Sequence, residues 1–326
     1  MQTVAITATG SHTPSQILDN HQLIGRYGLT IDDDWIVSRT GIRSRHWLQP
    51  GETTSDLALQ AAQRCLARAG IEASQLDRII VATISPDLLS PSTATIVARK
   101  LGARCMAFDV SAACSGFLYG LELAAGAVQM GAKKVLVIGA DARSRFLNPK
   151  DHRSMVLFAD GAGCALVEPS NESGFLSMVC NAQGQENMGA HIPAGGALCP
   201  ASAETVAAGL HYLHVDPKTA IFEQFIALAS EVSLQALDQA GLTVADIDLF
   251  ITHQGNSKLV QLAGQALGFA PDAVVDEVAY HGNTAGASVA IVLDEIIRAG
   301  RVKPGSKVLL NAVGAGVTFA AAVHQF

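Results

Sequence analysis

The sequence has 326 residues, of which 49% are hydrophobic and 16% are charged, and its formal net charge is -7. A chain of this length buries a sizeable core, either as one large domain or as two fused halves. The acidic balance, with no dense cluster of Lys or Arg, argues against a nucleic-acid partner, and every apolar run is broken before the roughly 20 residues that cross a bilayer.

The chain begins with an apolar segment, residues 1–10, that lacks the basic region of a secretion signal and is predicted to form a strand. The six cysteines are widely spaced without a Cys-x-x-Cys pair, so we interpret them as reduced thiols rather than a disulfide framework. These features predict a cytoplasmic protein with no membrane anchor.

Two segments of the chain occur twice in the same order. Residues 59–83, "LQAAQRCLARAGIEASQLDRIIVAT", are repeated at residues 233–253, "SLQALDQAGLTVADIDLFITH"; residues 133–142, "KKVLVIGADA", are repeated at residues 306–315, "SKVLLNAVGA". The first unit is typical of a helix, a glycine stop and a strand buried on both faces. Such duplication predicts two homologous α/β halves packed as a five-layered α/β/α/β/α sandwich, with a single doubly wound sheet as the alternative.

The junction between the halves is expected at residues 169–174, which gives an N-terminal half over residues 1–172 and a C-terminal half over residues 173–326. Residues 181–217 are rich in Gly, Ala and Pro and have no counterpart in the first half. A segment of this kind is typical of an irregular insertion that borders a functional site.

Cys114 is the cysteine best placed for chemistry. It follows a predicted strand at residues 106–110 and precedes a predicted helix at residues 115–130. Backbone N–H groups at a helix N-terminus stabilise a thiolate, so this position predicts a nucleophile with a lowered pKa. The competing interpretation is a small buried apolar residue, which suits Cys65, Cys164 and Cys180.

Two polar residues in the second half are candidate partners for Cys114. His253 follows a predicted strand in "THQGN", and Asn283 lies on the Gly-rich turn of "YHGNTAGAS" that leads into a predicted helix at residues 289–297. Under the duplication, Asn283 falls near the position that Cys114 holds in the first half. Strand ends of this kind are where α/β folds bind ligands, so the three residues are expected to meet at the junction of the halves.

Cys114 in "AACSG", His253 in "HQGN" and Asn283 in "GNTAGAS" resemble the Cys-His-Asn triad of the thiolase superfamily, most closely the β-ketoacyl-acyl-carrier-protein synthase III branch. The resemblance extends along nearly the whole chain, through "DDDWIVSRTGIRSRH", "LFADGAG" and the C-terminal "GAGVTFAAAVHQF". It implies a thiolase-like duplicated five-layered sandwich in which the first half carries the nucleophile and the second half carries His and Asn.

The resemblance also implies a reaction. An acyl-coenzyme A acylates Cys114, and a malonyl thioester then loses carbon dioxide and attacks the acyl group to give a β-ketoacyl product, as in fatty-acid initiation. The implied oxyanion donors are the backbone amides of Cys114 and Ala315, where the family commonly has glycine. Neutral His253 and Asn283 are implied to stabilise the enolate without a buried charge. No metal or other cofactor is required, and a homodimer is expected.

Several further residues match positions that bind substrate in the family. Trp35 and Arg39 match the loop that stacks on the adenine and meets the phosphates of coenzyme A, and Arg153 matches the arginine on the other face of the adenine. Asn256 matches a position that contacts the pantetheine arm. Lys258 keeps a basic position used in docking an acidic carrier protein.

The sequence departs from the family pattern at two places. Glu223 and the uncharged residues 263–268 stand where carrier-using relatives tend to have lysines, so the acceptor could be malonyl-CoA or a malonyl carrier protein. Leu88 and Leu89 lie in the loop that in the family lines the acyl pocket, partly across the dimer interface, and they lack the aromatic bulk that commonly limits chain length. A wider pocket for medium-chain acyl groups is therefore a second hypothesis.

Three classes of function remain at this point. The first is a decarboxylating condensing enzyme. The second is an acyl-transferring or thioester-hydrolysing enzyme of specialised metabolism that uses a non-carrier acceptor. The third is a binding or heteromeric partner subunit, which would usually lack one member of the triad. A papain-like hydrolase also uses Cys, His and Asn, but the motifs around its residues are absent here.

Overall fold

A computed structural model describes residues 3–172, 174–185, 189–215 and 219–326 of the chain, the side chains of residues 219–221 excepted. The strands are β1 Thr3–His12, β2 Gln16–Asp19, β3 Ser44–Trp47, β4 Arg78–Ala82, β5 Met106–Val110, β6 Val135–Ala142, β7 Asp160–Ser170, β8 Gly174–Ala182, β9 Ala190–His191, β10 His214–Val215, β11 Leu249–Thr252, β12 Lys307–Gly314 and β13 Thr318–Gln325. The helices are α1 Asn20–Tyr27, α2 Asp33–Thr40, α3 Thr54–Ala69, α4 Thr93–Leu101, α5 Gly116–Gln129, α6 His152–Met155, α7 Ala203–Ala207, α8 Thr219–Ala240, α9 Ser257–Leu267, α10 Val278–His281 and α11 Ser288–Arg298.

Two mixed sheets form the centre of the fold and have the same topology. The first has the order β1-β7-β6-β4-β5 and the second the order β8-β13-β12-β11. In each sheet the first three strands are antiparallel and the next pair is parallel. A parallel bridge between Phe250 and Val274 takes the place of a fifth strand in the second sheet. The predicted duplication is therefore visible in the strand pairing itself.

The helices form three layers around the two sheets. One apolar cluster joins α3 and α4 to the outer face of the first sheet, a second joins α8 and α9 to the outer face of the second sheet, and a third places α5 and α11 between the sheets. Along β12, Val308 and Leu310 face the middle layer while Leu309 and Val313 face the outer layer, as the two-residue period of a strand requires. The predicted fold class, a five-layered sandwich, is confirmed.

The middle layer positions the site. A 3₁₀ turn at Ala113–Ser115 precedes α5, and a matching 3₁₀ turn at Ala285–Ala287 precedes α11. The first residue of each turn, Ala113 or Ala285, has a left-handed backbone, with φ of 48° and 49°. Two related turns of this kind, one from each half, lie in contact.

The chain passes from the first sheet to the second between Ser170 and Gly174; the division of the chain at residues 172 and 173 stays a prediction. Of the predicted insertion at 181–217, residues 186–188 and 216–217 lie outside the described residues, and the remainder forms the end of β8, the small β9-β10 sheet and α7. Within the described ranges, no helix is both long enough and apolar enough to cross a membrane.

Candidate active site

A cavity of about 830 Å³ lies where the two halves meet, and it brings together Cys114, His253 and Asn283. It also reaches the insertion, at Gly189–Ile192, Leu213 and Val215. The other lining residues are Ile84, Ser111, Ala112, Ala113, Arg143, Leu157, Phe158, Phe222, Phe225, Gly255, Asn256, Leu259, Ala285, Ala315, Gly316 and Thr318. Most of these side chains are apolar, so the few polar groups determine what the cavity can do chemically.

Cys114 lies at the centre of the 3₁₀ turn that links β5 to α5. The hydroxyl of the next residue, Ser115, donates to the carbonyls of Ala312 and Thr318, at 3.1 and 3.0 Å, and so fixes the turn of the first half to the second sheet. Because the turn opens α5, its first N–H groups have no helical carbonyl to bond. We expect the amide of Cys114 to be available to a substrate oxygen.

Gly314 lies directly against this amide and places no side chain on it. A Cβ atom at position 314 would lie 2.7 Å from the Cys114 nitrogen. Asp141 holds the equivalent position in the duplicated segment of the first half, and its Oδ2 accepts a hydrogen bond of 2.9 Å from the N–H of Gly286, in the turn that leads into α11. The two related turns therefore differ: one amide is bonded to a carboxylate, and the other lies against a glycine.

The thiol of Cys114 is neutral in this environment. Its pKa is raised to about 12, first by burial and then by the negative charge of Asp141, while Arg143 and a backbone N–H hydrogen bond have the opposite, smaller effects. The lowered pKa expected from the helix N-terminus is therefore wrong for the ligand-free chain, because loss of solvation outweighs the favourable backbone dipoles.

This high pKa predicts how Cys114 reacts with a small electrophile. Because only the thiolate reacts, alkylation by iodoacetamide should accelerate about tenfold per pH unit from pH 6 to 9, without a plateau. The rate is measured from the mass of the peptide that contains Cys114, with Cys114→Ala reporting on the other five thiols. A plateau above pH 7 would indicate a thiol with a lowered pKa and contradict the prediction.

His253 follows β11 and is 8% exposed. Its Nδ1 lies 2.8 Å from the hydroxyl of Ser288, which also accepts the N–H of Gln254 at 3.3 Å. If the Ser288 hydroxyl accepts from Gln254 and donates to Nδ1, the proton of the ring is on Nε2. Burial lowers the pKa of His253 to about 4, so the imidazole is neutral at pH 7 and offers an uncharged donor.

Ser288 is therefore expected to act as a positioning residue for His253. Replacing it in Ser288→Ala leaves Nδ1 without its partner and frees the ring to rotate, so turnover should fall about 10- to 100-fold. Single-turnover acylation of Cys114 should stay unchanged, which separates this effect from general damage to the fold. Ser177→Ala is the matched control, since Ser177 is also buried and bonds a backbone carbonyl away from the cavity. Equal losses in both variants would contradict the assignment.

Asn283 is 7% exposed, and hydrogen bonds to both its backbone and its side chain fix its position. Its N–H donates to the carbonyl of Leu157, its carbonyl accepts from Ala159, and its Oδ1 accepts the N–H of Ala285, each at 2.9 Å. With Oδ1 occupied, the side-chain NH₂ group is free to donate into the cavity. His253 and Asn283 thus present two neutral donors beside a thiol.

Comparison with known proteins agrees with this arrangement. Residues 108–184 match the family described as 3-oxoacyl-[acyl-carrier-protein (ACP)] synthase III, and residues 237–326 match the family that describes its C-terminal part. A β-ketoacyl-[acyl-carrier-protein] synthase III from Symbiobacterium thermophilum is 41% identical over 98% of this chain and 96% of its own length. The chain belongs to this synthase III family.

Two solved structures extend the comparison. The 3-oxoacyl-[acyl-carrier-protein] synthase III of Aquifex aeolicus is 33% identical, with a TM-score of 0.90 over 99% of this chain and all of the other. The priming β-ketosynthase of the R1128 polyketide pathway is 30% identical, with a TM-score of 0.90 over 99% of this chain and 96% of the other. The fold of this chain is therefore shared with a synthase III and with a priming β-ketosynthase of a polyketide pathway.

The residues that match the family's coenzyme A site lie at different depths. Asn256 lines the cavity, and its side chain also caps α9 by accepting the N–H of Leu259 at 3.0 Å. The guanidinium of Arg39 lies over the ring of Trp35, 4.4 Å from its centroid, and His152 contacts that ring edge-on. Arg153 is exposed and pairs with Asp151. The roles of these residues in binding coenzyme A stay predictions.

Leu88 and Leu89 do not line the cavity of their own chain, so their assignment to the acyl pocket, partly across a dimer interface, stays a prediction. They are 52% and 88% exposed, whereas Ile84, at the start of the same loop, does line the cavity. The reason is that Asp87 bonds the N–H and the hydroxyl of Ser55 at the start of α3 and so holds the loop against the outer helix layer.

Sequence reasoning missed Arg143, a charged residue in the cavity wall. It comes directly after β6, at the same end of the sheet as the turn that carries Cys114, and it is 3% exposed. Its signal was the arginine in "GADARSRF", immediately after an apolar strand and at the edge where α/β sheets bind ligands. It also missed Phe222 and Phe225, which line the cavity from α8.

Proposed function

We propose that this chain catalyses the decarboxylative condensation of an acyl-coenzyme A, held as a thioester on Cys114, with a malonyl thioester, giving a β-ketoacyl product. The observation that supports it best is one mostly apolar cavity that brings a thiol together with the neutral hydrogen-bond donors of His253 and Asn283. The names of the relatives agree, since they are β-ketoacyl synthases of the same length.

In the first half-reaction the Cys114 sulfur, having lost its proton, attacks the thioester carbonyl of the acyl donor. The carbonyl π electrons move to oxygen, and the N–H groups of Cys114 and Ala315 donate to that oxyanion. The intermediate collapses, the bond to the coenzyme A sulfur breaks, and that sulfur leaves as a thiol after taking up a proton. Gly314 is what allows the oxyanion to approach the amide of Cys114.

In the second half-reaction the malonyl thioester loses carbon dioxide. The electrons of the breaking carbon–carbon bond form an enolate, and the donors on His253 and Asn283 stabilise its oxygen. The enolate carbon attacks the acyl group, and the Cys114 sulfur leaves and regains a proton. Both donors are neutral, so the groups that stabilise the enolate do not hold the malonyl carboxylate by charge.

The acceptor, the assembly and the location of the protein are further parts of this proposal. Exposed Lys258 lies two residues after Asn256 and suits docking of an acidic carrier protein that delivers the malonyl group. A homodimer is supported by the exposed apolar side chains of Met106, on the edge strand β5, and of Leu88 and Leu89. Six free cysteines support a cytoplasmic location. The reaction as written requires neither a metal nor another cofactor.

The test combines graded acyl-coenzyme A donors with malonyl-CoA or a malonyl carrier protein. Intact mass follows acylation, and released carbon dioxide and β-keto product follow condensation. We expect an acyl adduct on the wild type, none on Cys114→Ala, and product only when a malonyl thioester is present. Acylation followed by turnover without malonyl dependence would replace condensation by acyl transfer or hydrolysis.

A further inference from the structure

Arg143 is a buried cation in the wall of an otherwise apolar cavity. It opens the 3₁₀ turn after β6, is 3% exposed, and lines the cavity together with Cys114, Ile84 and Phe158. Nothing in the two half-reactions above uses this side chain. A guanidinium in such a place is costly unless its charge and its N–H groups are matched.

The two carboxylates whose negative charge acts on Arg143, Asp141 and Asp160, already accept hydrogen bonds from other donors. Asp141 accepts from the amides of Ile84 and Gly286 and from the Ser85 hydroxyl. Asp160 accepts from the backbone of Leu48 and from the backbone and side chain of Ser144. Neither forms an ion pair with Arg143 within 4 Å, and no other carboxylate of the described residues does.

The guanidinium itself is nearly unbonded. Its Nη1 donates to the carbonyl of Ile84 at 3.4 Å, and its buried Nε–H has no partner among the described residues. The rings of Phe146 and Phe158 lie 5.7 Å from Cζ, where they favour the cation and restrict its position without accepting its N–H groups. The fork of donors is therefore preorganised for a planar anion that enters the cavity.

We propose that Arg143 binds a carboxylate at the far end of the acyl group, so that the preferred acyl donor is a dicarboxylyl thioester rather than a neutral fatty acyl thioester. The inference rests on the proposed function, since it names the substrate class for the acylation of Cys114. In that step the thioester carbon exchanges its bond to the coenzyme A sulfur for a bond to Cys114, and the distal carboxylate takes no part.

The position of Arg143 favours the acyl group over the other anions that the reaction brings. The charge of Arg143 lowers the pKa of the Cys114 thiol, so Arg143 lies near the sulfur that receives the acyl group. Trp35 and Arg39, which match the loop that binds the adenine and phosphates of coenzyme A, do not line the cavity. The malonyl carboxylate is lost as carbon dioxide. Binding it to a guanidinium would stabilise the ground state more than the transition state and slow the reaction.

The experiment compares pairs of acyl-coenzyme A donors that differ only at the far end: succinyl with butyryl, glutaryl with valeryl, and adipoyl with hexanoyl. Single-turnover acylation of Cys114 is followed by intact mass. In the wild type the dicarboxylyl member of at least one pair should react about 10- to 100-fold faster, as expected for a charge-assisted hydrogen bond. The pair with the largest ratio gives the length of the acyl group.

Arg143→Met should remove this preference and accelerate acylation by the neutral donors, because an apolar side chain then fills the site. A gain with neutral donors cannot come from a poorly folded variant. Arg143→Lys keeps the charge without the fork and should retain only part of the preference. Arg145→Met is the matched control: Arg145 is two residues away, exposed, and bonds the carbonyls of Gln49 and Glu52 outside the cavity.

Three outcomes would overturn the inference while leaving the proposed function intact. The first is equal acylation by both members of every pair, which would mean that another group, such as a carboxylate of a second copy, satisfies Arg143. The second is an unchanged preference in Arg143→Met. The third is an Arg143→Met variant whose only change is a higher KM for the malonyl thioester. Failure of the proposed function would look different, since no donor would give malonyl-dependent carbon dioxide.

Discussion

Asn283→Ala should leave acylation of Cys114 within about threefold of the wild type and reduce condensation about 100- to 1000-fold, the effect of removing one preorganised donor to an oxyanion. The separation is expected because the proposed role of Asn283 is to stabilise the enolate, which forms only after Cys114 is acylated. Its Oδ1 is bonded to Ala285, so only its NH₂ group faces the cavity. Acyl-adduct formation by intact mass and release of carbon dioxide from the malonyl thioester measure the two steps on the same sample.

Asn283→Asp is the isosteric companion of this variant. Its Oδ1 can still accept the N–H of Ala285, but the second oxygen replaces the donor by a negative charge that repels the enolate. Condensation at pH 8 should therefore be at least as slow as in Asn283→Ala. Burial raises the pKa of such a carboxyl, and its protonated form carries an O–H donor, so activity should recover as the pH falls. Loss of acylation in both variants would instead assign Asn283 to the shape of the site.

The sequence was sufficient to predict the fold because its evidence was periodic and duplicated. Residues 59–83 and 233–253 correspond to α3-β4 and α8-β11, and residues 133–142 and 306–315 correspond to β6 and β12. Each signal consists of local properties, namely a glycine stop and a strand buried on both faces. Helix ends were less predictable: the helix expected at 115–130 is preceded by a 3₁₀ turn and spans Gly116–Gln129.

The meeting of Cys114, His253 and Asn283 was also predictable, since related turns of a duplicated fold must face each other. The pKa of the thiol was not, because it depends on how much protein covers the sulfur and on the charge of Asp141, which only the folded chain brings near. The exposure of Leu88 was unpredictable for a similar reason. The path of its loop depends on a bond between Asp87 and Ser55, 32 residues away in sequence.

The position with the most specific steric prediction is Gly314. In Gly314→Ala the new methyl group would lie 2.7 Å from the Cys114 nitrogen, 2.8 Å from Oγ1 of Thr318 and 3.0 Å from Cβ of Ala113. Relief of these contacts must displace the turn or cover its amide. Unlike Asn283→Ala, this variant should lose acylation as well as condensation, each by about 100-fold or more. Single-turnover acylation by intact mass is the deciding measurement.

Gly126→Ala provides the control, because Gly126 lies on the exposed side of α5 and a Cβ atom there meets nothing within 4 Å. An alanine in a helix interior gains about 0.5–1 kcal/mol over glycine, so this variant should unfold at a slightly higher temperature and keep full activity. Acylation at the wild-type rate in Gly314→Ala would show that the amide of Cys114 is not a donor to the oxyanion.

The duplicated fold contains two related turns, but only one of them carries a reactive cysteine. The turns at Ala113–Ser115 and Ala285–Ala287 share their backbone geometry, including a left-handed first residue. They differ in what the opposite half presents to them: Asp141 bonds the amide of Gly286, whereas Gly314 places no side chain against the amide of Cys114. A small residue at position 314 is thus as necessary to the oxyanion site as the cysteine, and Gly314→Ala tests that requirement directly.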